Sequence, residues 1–94
     1  MNNYEMVVIL KPDLDPEVKD RALNAIYDTI NAEGKLGEVD EWGVRKLAYE
    51  INYIKEGYYL VINFESNPEN IVEIERRARI QDPVIRYMVI NKDS

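Results

Sequence analysis

The sequence predicts an α+β domain, a four-stranded antiparallel sheet with two helices on one face, in the order β-α-β-β-α-β. Three observations point there. Four segments (4–11, 36–51, 58–65 and 84–92) run apolar or alternate apolar with polar residues, as strands do. Two stretches open with the same chemistry, Asp15-Pro16-Glu17 and Asn67-Pro68-Glu69: a capping residue, a proline at the first helical position and an acid in the first turn. The length of 94 residues, with 46% hydrophobic and 32% charged side chains, allows a single domain over 1–94 with one modest core.

In the first strand, Tyr4, Met6, Val8 and Leu10 would share one face and Glu5, Val7, Ile9 and Lys11 the other. Both faces have apolar centres, the pattern of a central strand. After Asp15, the residues Val18, Ala22, Ile26 and Ile30 recur at four-residue spacing beside Leu23 and Tyr27. That is one helical stripe. Gly34 stands where a left-handed helix cap belongs.

The second strand, Leu36 to Ile51, would exceed about 50 Å if straight, at roughly 3.3 Å per residue. A domain of this size has a radius of gyration near 12 Å, roughly. The strand must therefore bend or project, with Gly43 as the joint. Lys55-Glu56-Gly57 is the expected turn into the third strand, Tyr58 to Glu65. The second helix presents Ile71, Ile74 and Ala78 and ends at Asp82-Pro83. In the last strand, Ile85, Tyr87 and Val89 alternate with Arg86, Met88 and Ile90. Right-handed crossovers interleave two such halves into a ferredoxin-like split βαβ arrangement (βαββαβ), with the first and third strands central.

Composition narrows the function. Without His or Cys, the commonest general base and the usual transition-metal ligands are missing. The hydroxyls of Thr29, Ser66 and Ser94 have no imidazole to activate them, so an enzyme is not expected. The longest apolar run, Met6 to Leu10, is too short to cross a bilayer. Met1-Asn2-Asn3 lacks the charged-then-apolar opening of a secretory signal, and the absence of Cys is compatible with a reducing cytoplasm. A net charge of −6 argues against holding nucleic acid by bulk electrostatics; a local patch or a basic partner would be needed.

Two helices on one face leave the other bare. If Met6, Val8, Leu10, Leu60, Ile62, Phe64, Tyr87 and Val89 take the helix side, the open side is left with Val7, Ile9, Tyr59, Val61, Met88 and Ile90. That set is too apolar for a solvated face and reads as a partner-binding surface. Arg86 shares its alternation, and Arg45-Lys46 form a local cationic spot. Neighbours on a regular strand face opposite ways, so only one of those two can flank the patch unless Gly43 resets the register. Arg76, Arg77 and Arg79 are expected in a solvated helix face, ion-paired as Glu73–Arg77 and Glu75–Arg79. Gly57 to Phe64 loosely echoes the stacking strand of an RNA-recognition motif, although Glu56 stands where that motif carries a cation. Two readings of the residues stand: a stand-alone RRM-like single-stranded RNA binder, and a ferredoxin-like regulatory module that dimerises through its open face.

Several blocks resemble one family. Tyr4-Glu5-Met6-Val7, Leu10-Lys11-Pro12, Trp42-Gly43-Val44-Arg45-Lys46-Leu47-Ala48-Tyr49-Glu50-Ile51, Gly57-Tyr58-Tyr59 and Asp82-Pro83-Val84-Ile85-Arg86-Tyr87-Met88-Val89 are similar to the bacterial small-subunit ribosomal protein six family. The resemblance implies a ferredoxin-like structural constituent of the small ribosomal subunit, cytoplasmic and ribosome-associated. It further implies binding to the central domain of 16S ribosomal RNA as a heterodimer with the small, basic ribosomal protein eighteen, with no cofactor and no small-molecule substrate. Carried over by position, it makes Arg45, Lys46 and Arg86 the RNA-facing residues. Some members carry basic residues after Met1, where this chain has Asn2 and Asn3.

Overall fold

A computed structural model describes residues 1–93; Ser94, one of the three hydroxyls considered above, lies outside the described residues. The elements are β1 (Asn2–Leu10), α1 (Pro16–Ala32), β2 (Gly34–Ile51), β3 (Ile54–Ser66), α2 (Ile71–Arg79) and β4 (Val84–Asn91), with a 3₁₀ turn at Pro68–Asn70. The sheet is antiparallel in the order β2-β3-β1-β4, which puts the two most apolar strands at the centre. The fold is the ferredoxin-like α+β arrangement that the sequence predicts.

One face of the sheet makes the core. Met6, Val8, Leu10, Leu60, Ile62 and Phe64 pack with Leu23, Ile26 and Ile30 of α1 and Ile74 and Ala78 of α2. Tyr87 and Val89 of β4 flank them, half-buried. A fully buried Leu, Ile or Met contributes about 1.5–3 kcal/mol, so this layer is what holds the two helices to the sheet. Tyr4 and Phe64 stack at 5.5 Å across the β1–β3 pair. No helix among the described residues is long and apolar enough to cross a membrane.

Several local expectations are corrected. Gly34 opens β2 and lies outside the left-handed region; a Cβ there would fall onto the Glu65 carbonyl oxygen and lie 2.8 Å from Ser66 Cα, so close strand approach is what requires glycine. The hairpin turn is at Asn52-Tyr53, between paired Ile51 and Ile54, and Lys55 to Gly57 already belong to β3. Gly57 is instead a packing residue, because its Cβ would fall onto Ile9 Cγ2 and lie 3.4 Å from Leu47 Cδ2. On α2 the ion pair is Glu73–Arg76 at 2.8 Å, one position short of the expected spacing. The Arg77 and Arg79 cations have no carboxylate within ion-pair distance among the described residues. The helix starts differ from expectation too: Asp15 caps α1 without a side-chain bond, and Asn67-Pro68-Glu69 leads into the 3₁₀ turn before α2 begins at Ile71.

Candidate protein and RNA interface

β2 carries the geometry that builds the site. Eighteen residues in a straight strand would reach about 60 Å, yet the longest dimension of the molecule is 38 Å. Three register irregularities curve it, between Leu36 and Val39, Glu41 and Gly43, and Lys46 and Ile51. At the middle one, Glu41 opposes Leu60 and Gly43 opposes Tyr59, which leaves Trp42 as the extra residue. Gly43 has φ +82, the left-handed glycine of a bulge. The extra residue resets the alternation. Glu41 faces the helix side with Leu60, and beyond the bulge Val44 does so with Tyr58. Arg45, opposite Gly57, therefore falls on the open face, and Lys46, opposite Glu56, on the other.

The rows across the open face follow from the register. Val61, Val7 and Met88 lie side by side, flanked by Asp40 on β2; Tyr59, Ile9 and Arg86 form the next row; Asn63, Glu5 and Ile90 the third. Although no helix covers this side, Ile9 and Val61 are only 9% and 7% exposed, while Met88 is 56% and Ile90 42% exposed. Val7, Ile9, Tyr59, Arg86, Tyr87 and Met88 line an apolar groove of about 430 Å³. All six residues expected at the partner surface thus share one continuous face, with the deepest at its centre and the most exposed along β4.

The rim has two characters. At one end, Trp42 stacks on Tyr59 with ring centroids 6.5 Å apart and planes 8° from parallel. Tyr49, from the far part of β2, accepts a hydrogen bond from Arg86 Nη1, and the Arg86 guanidinium carbon lies 5.5 Å from the Tyr49 ring centroid. The hairpin is therefore joined to β4 across the groove, and Arg86 is engaged within the chain while its side chain remains exposed. At the other end, Glu5 supplies a carboxylate and Lys92 Nζ donates to Asn63 Oδ1 at 3.1 Å, while Asp40, on the β2 side beside Val61, accepts a hydrogen bond from Trp42 Nε1 at 3.1 Å. Trp42 and Tyr49 are functional candidates that sequence reasoning missed. Their aromatic identity was visible, but the bulge that brings Trp42 over Tyr59 was not.

A second tie holds the hairpin from the helix side. Lys19 of α1 pairs with Glu41 at 2.7 Å and donates to the Tyr58 hydroxyl at 3.1 Å, and that hydroxyl donates to Glu41 Oε1 at 2.8 Å. Lys19 Nζ also sits 4.2 Å from the Tyr58 ring centroid. The hydrogen bonds from Lys19 and then Tyr58 hold the Glu41 carboxyl below its usual range. The bond to Glu41 raises Lys19 against the opposing effect of burial. β2 is thus pinned on both faces just where it begins to leave the body of the sheet.

A ferredoxin-like sheet with one bare apolar face, carboxylates on its border and a cationic hairpin has the surface features of a binding module. The comparisons with known proteins give its family. The family model described as Ribosomal protein S6 matches residues 3–91. A small ribosomal subunit protein bS6 from Clostridium novyi is 51% identical over 94 residues, covering 99% of both chains. One from Alkaliphilus oremlandii is 46% identical over 90 residues, covering 96% of each. The crystal structure of 30S ribosomal protein S6 from Thermotoga maritima superposes with a TM-score of 0.88 at 30% identity, covering 98% of this chain and 88% of the other. The chain belongs to the ribosomal protein S6 family, whose members are structural proteins of the small ribosomal subunit.

Proposed function

We propose that the chain is a structural constituent of the small ribosomal subunit that binds the central domain of 16S ribosomal RNA together with the basic ribosomal protein eighteen. The open sheet face takes the protein partner, and the hairpin cations meet phosphate. The observation that carries this reading is the uncovered set Val7, Ile9, Tyr59, Val61, Met88 and Ile90, bordered by Glu5 at one end, by Asp40 on the β2 side and by Arg86 at the other end. An acidic border suits a basic partner. A chain of net charge −6 gains from a partner that supplies most of the phosphate neutralisation. Arg45, turned to the open face by the bulge, then acts beside the groove, exposed Lys46 acts from the opposite face of the hairpin, and Arg86 stands on the β4 rim held by Tyr49.

Two measurements test this. The tagged chain should co-sediment with small subunits at low salt; its absence from that fraction removes the ribosomal role. Arg45→Ala with Lys46→Ala should weaken binding of the assembled pair to a transcribed central-domain fragment. It should also flatten the slope of log affinity against log salt by about 0.7–0.9 for each phosphate left without its cation. Arg76, already bound to Glu73, serves as the control. An equal loss from Arg76→Ala would show that the hairpin is not the RNA-facing site.

A further inference from the structure

The β2–β3 hairpin turns on two residues, Asn52 with φ +50 and Tyr53 with φ +67. Positive φ at both central residues is the pattern of a tight two-residue hairpin, and it favours Asn followed by Gly. Asn52 fits. Tyr53 does not, because a bulky side chain in the left-handed region is disfavoured relative to glycine. Packing gives nothing back: Tyr53 is 93% exposed. Among the described residues, its side chain makes no hydrogen bond and no ring contact. An aromatic held in a disfavoured backbone and aimed at solvent calls for an external contact.

The surroundings of the tip say which kind. Between Gly43 and Gly57 the hairpin carries Arg45, Lys46 and Lys55 against Glu50 and Glu56, a net charge of +1 in a chain whose total is −6. A cationic arm with an exposed ring at its end matches the chemistry of unpaired nucleic acid, in which phosphates meet cations and a base lies on an aromatic face. A basic protein is a poor match for the same tip, since like charges would be brought together.

We propose that Tyr53 is a base-stacking residue, its ring lying against an unpaired base of RNA while the hairpin cations meet the flanking phosphates. This rests on the RNA-binding reading above and deepens it by giving the hairpin tip a specific ligand chemistry.

The test exploits an opposition between fold and function. Tyr53→Gly places the preferred residue in the turn, so the urea midpoint of the isolated chain should rise or hold. The assembled pair should nevertheless bind a transcribed central-domain fragment of small-subunit ribosomal RNA about tenfold more weakly, with its salt dependence unchanged. Tyr53→Phe, which keeps the ring, should bind as the unaltered chain does. If both variants bind RNA normally while the unaltered pair binds well, the stacking role is overturned and the RNA reading stands. If Tyr53→Gly weakens assembly with the basic partner in the absence of RNA, the tip is a protein contact and the proposal is overturned. Failure of the unaltered pair to bind the fragment at low salt would overturn the RNA reading itself, and the stacking role with it.

Discussion

Met88 offers the sharpest test of the open face. It lies beside Val7 on the edge strand β4, lines the apolar groove and is 56% exposed in the free chain. Burying a whole methionine side chain is worth about 1.5–3 kcal/mol. Covering the part that is still exposed is therefore worth about half of that, roughly 0.8–1.7 kcal/mol. Met88→Ala should accordingly weaken binding to the basic partner by about four- to sixteen-fold. The isolated chain should lose little stability, because the removed atoms are mostly solvated, and exposed substitutions usually stay within about 0.5 kcal/mol. Val61, only 7% exposed on the same face, is unsuitable: Val61→Asp would bury a charge and test folding as much as binding. Titration calorimetry with the partner, beside urea unfolding of the free chain, separates the two effects. Unchanged affinity for a folded Met88→Ala protein would show that the partner does not sit on this groove.

Two further outcomes concern the fold that carries the site. Glu41 is held below its usual pKa by Lys19 and Tyr58, so its contribution to stability is full above the ordinary carboxylate range and is lost as the pH falls through the lowered value. Glu41→Gln should therefore flatten the acid limb of stability below about pH 4.3. The change should stay within about 1 kcal/mol, because the Glu41 side chain is 46% exposed; an unaltered acid limb in urea unfolding refutes the tie. The glycines make the second case. Gly43→Ala meets no atom within 4 Å and should cost only its left-handed backbone, about 1–2 kcal/mol. Gly34→Ala drives a methyl into the backbone of Glu65 and Ser66 and should cost more than that. Equal urea midpoints for the two variants would contradict this reading of Gly34.

The order of elements was legible because it rests on local chemistry. Apolar residues on both faces of β1 mark a central strand, flanked by neighbours on either side. A proline behind a capping residue can begin a helix but not continue one. The membership of the open face followed from strict alternation along β1, β3 and β4, which the observed register keeps through those six positions. What the residues could not disclose depended on parts of the chain far apart in sequence. Gly57 reads as a turn until Ile9, forty-eight positions earlier, is seen to occupy the space its side chain would need. Gly34 reads as a helix cap until the approach of β3 is known. The face on which Arg45 falls was undecidable, because one extra residue at Trp42 inverts the positions that follow it up to Lys46, and pairing partners alone register it. Arg86 reads as a free cation until the curved hairpin brings Tyr49 across the groove to meet it. Local preferences thus determined which elements form and in what order, while the close approach of distant backbones decided which side chains came to stand together.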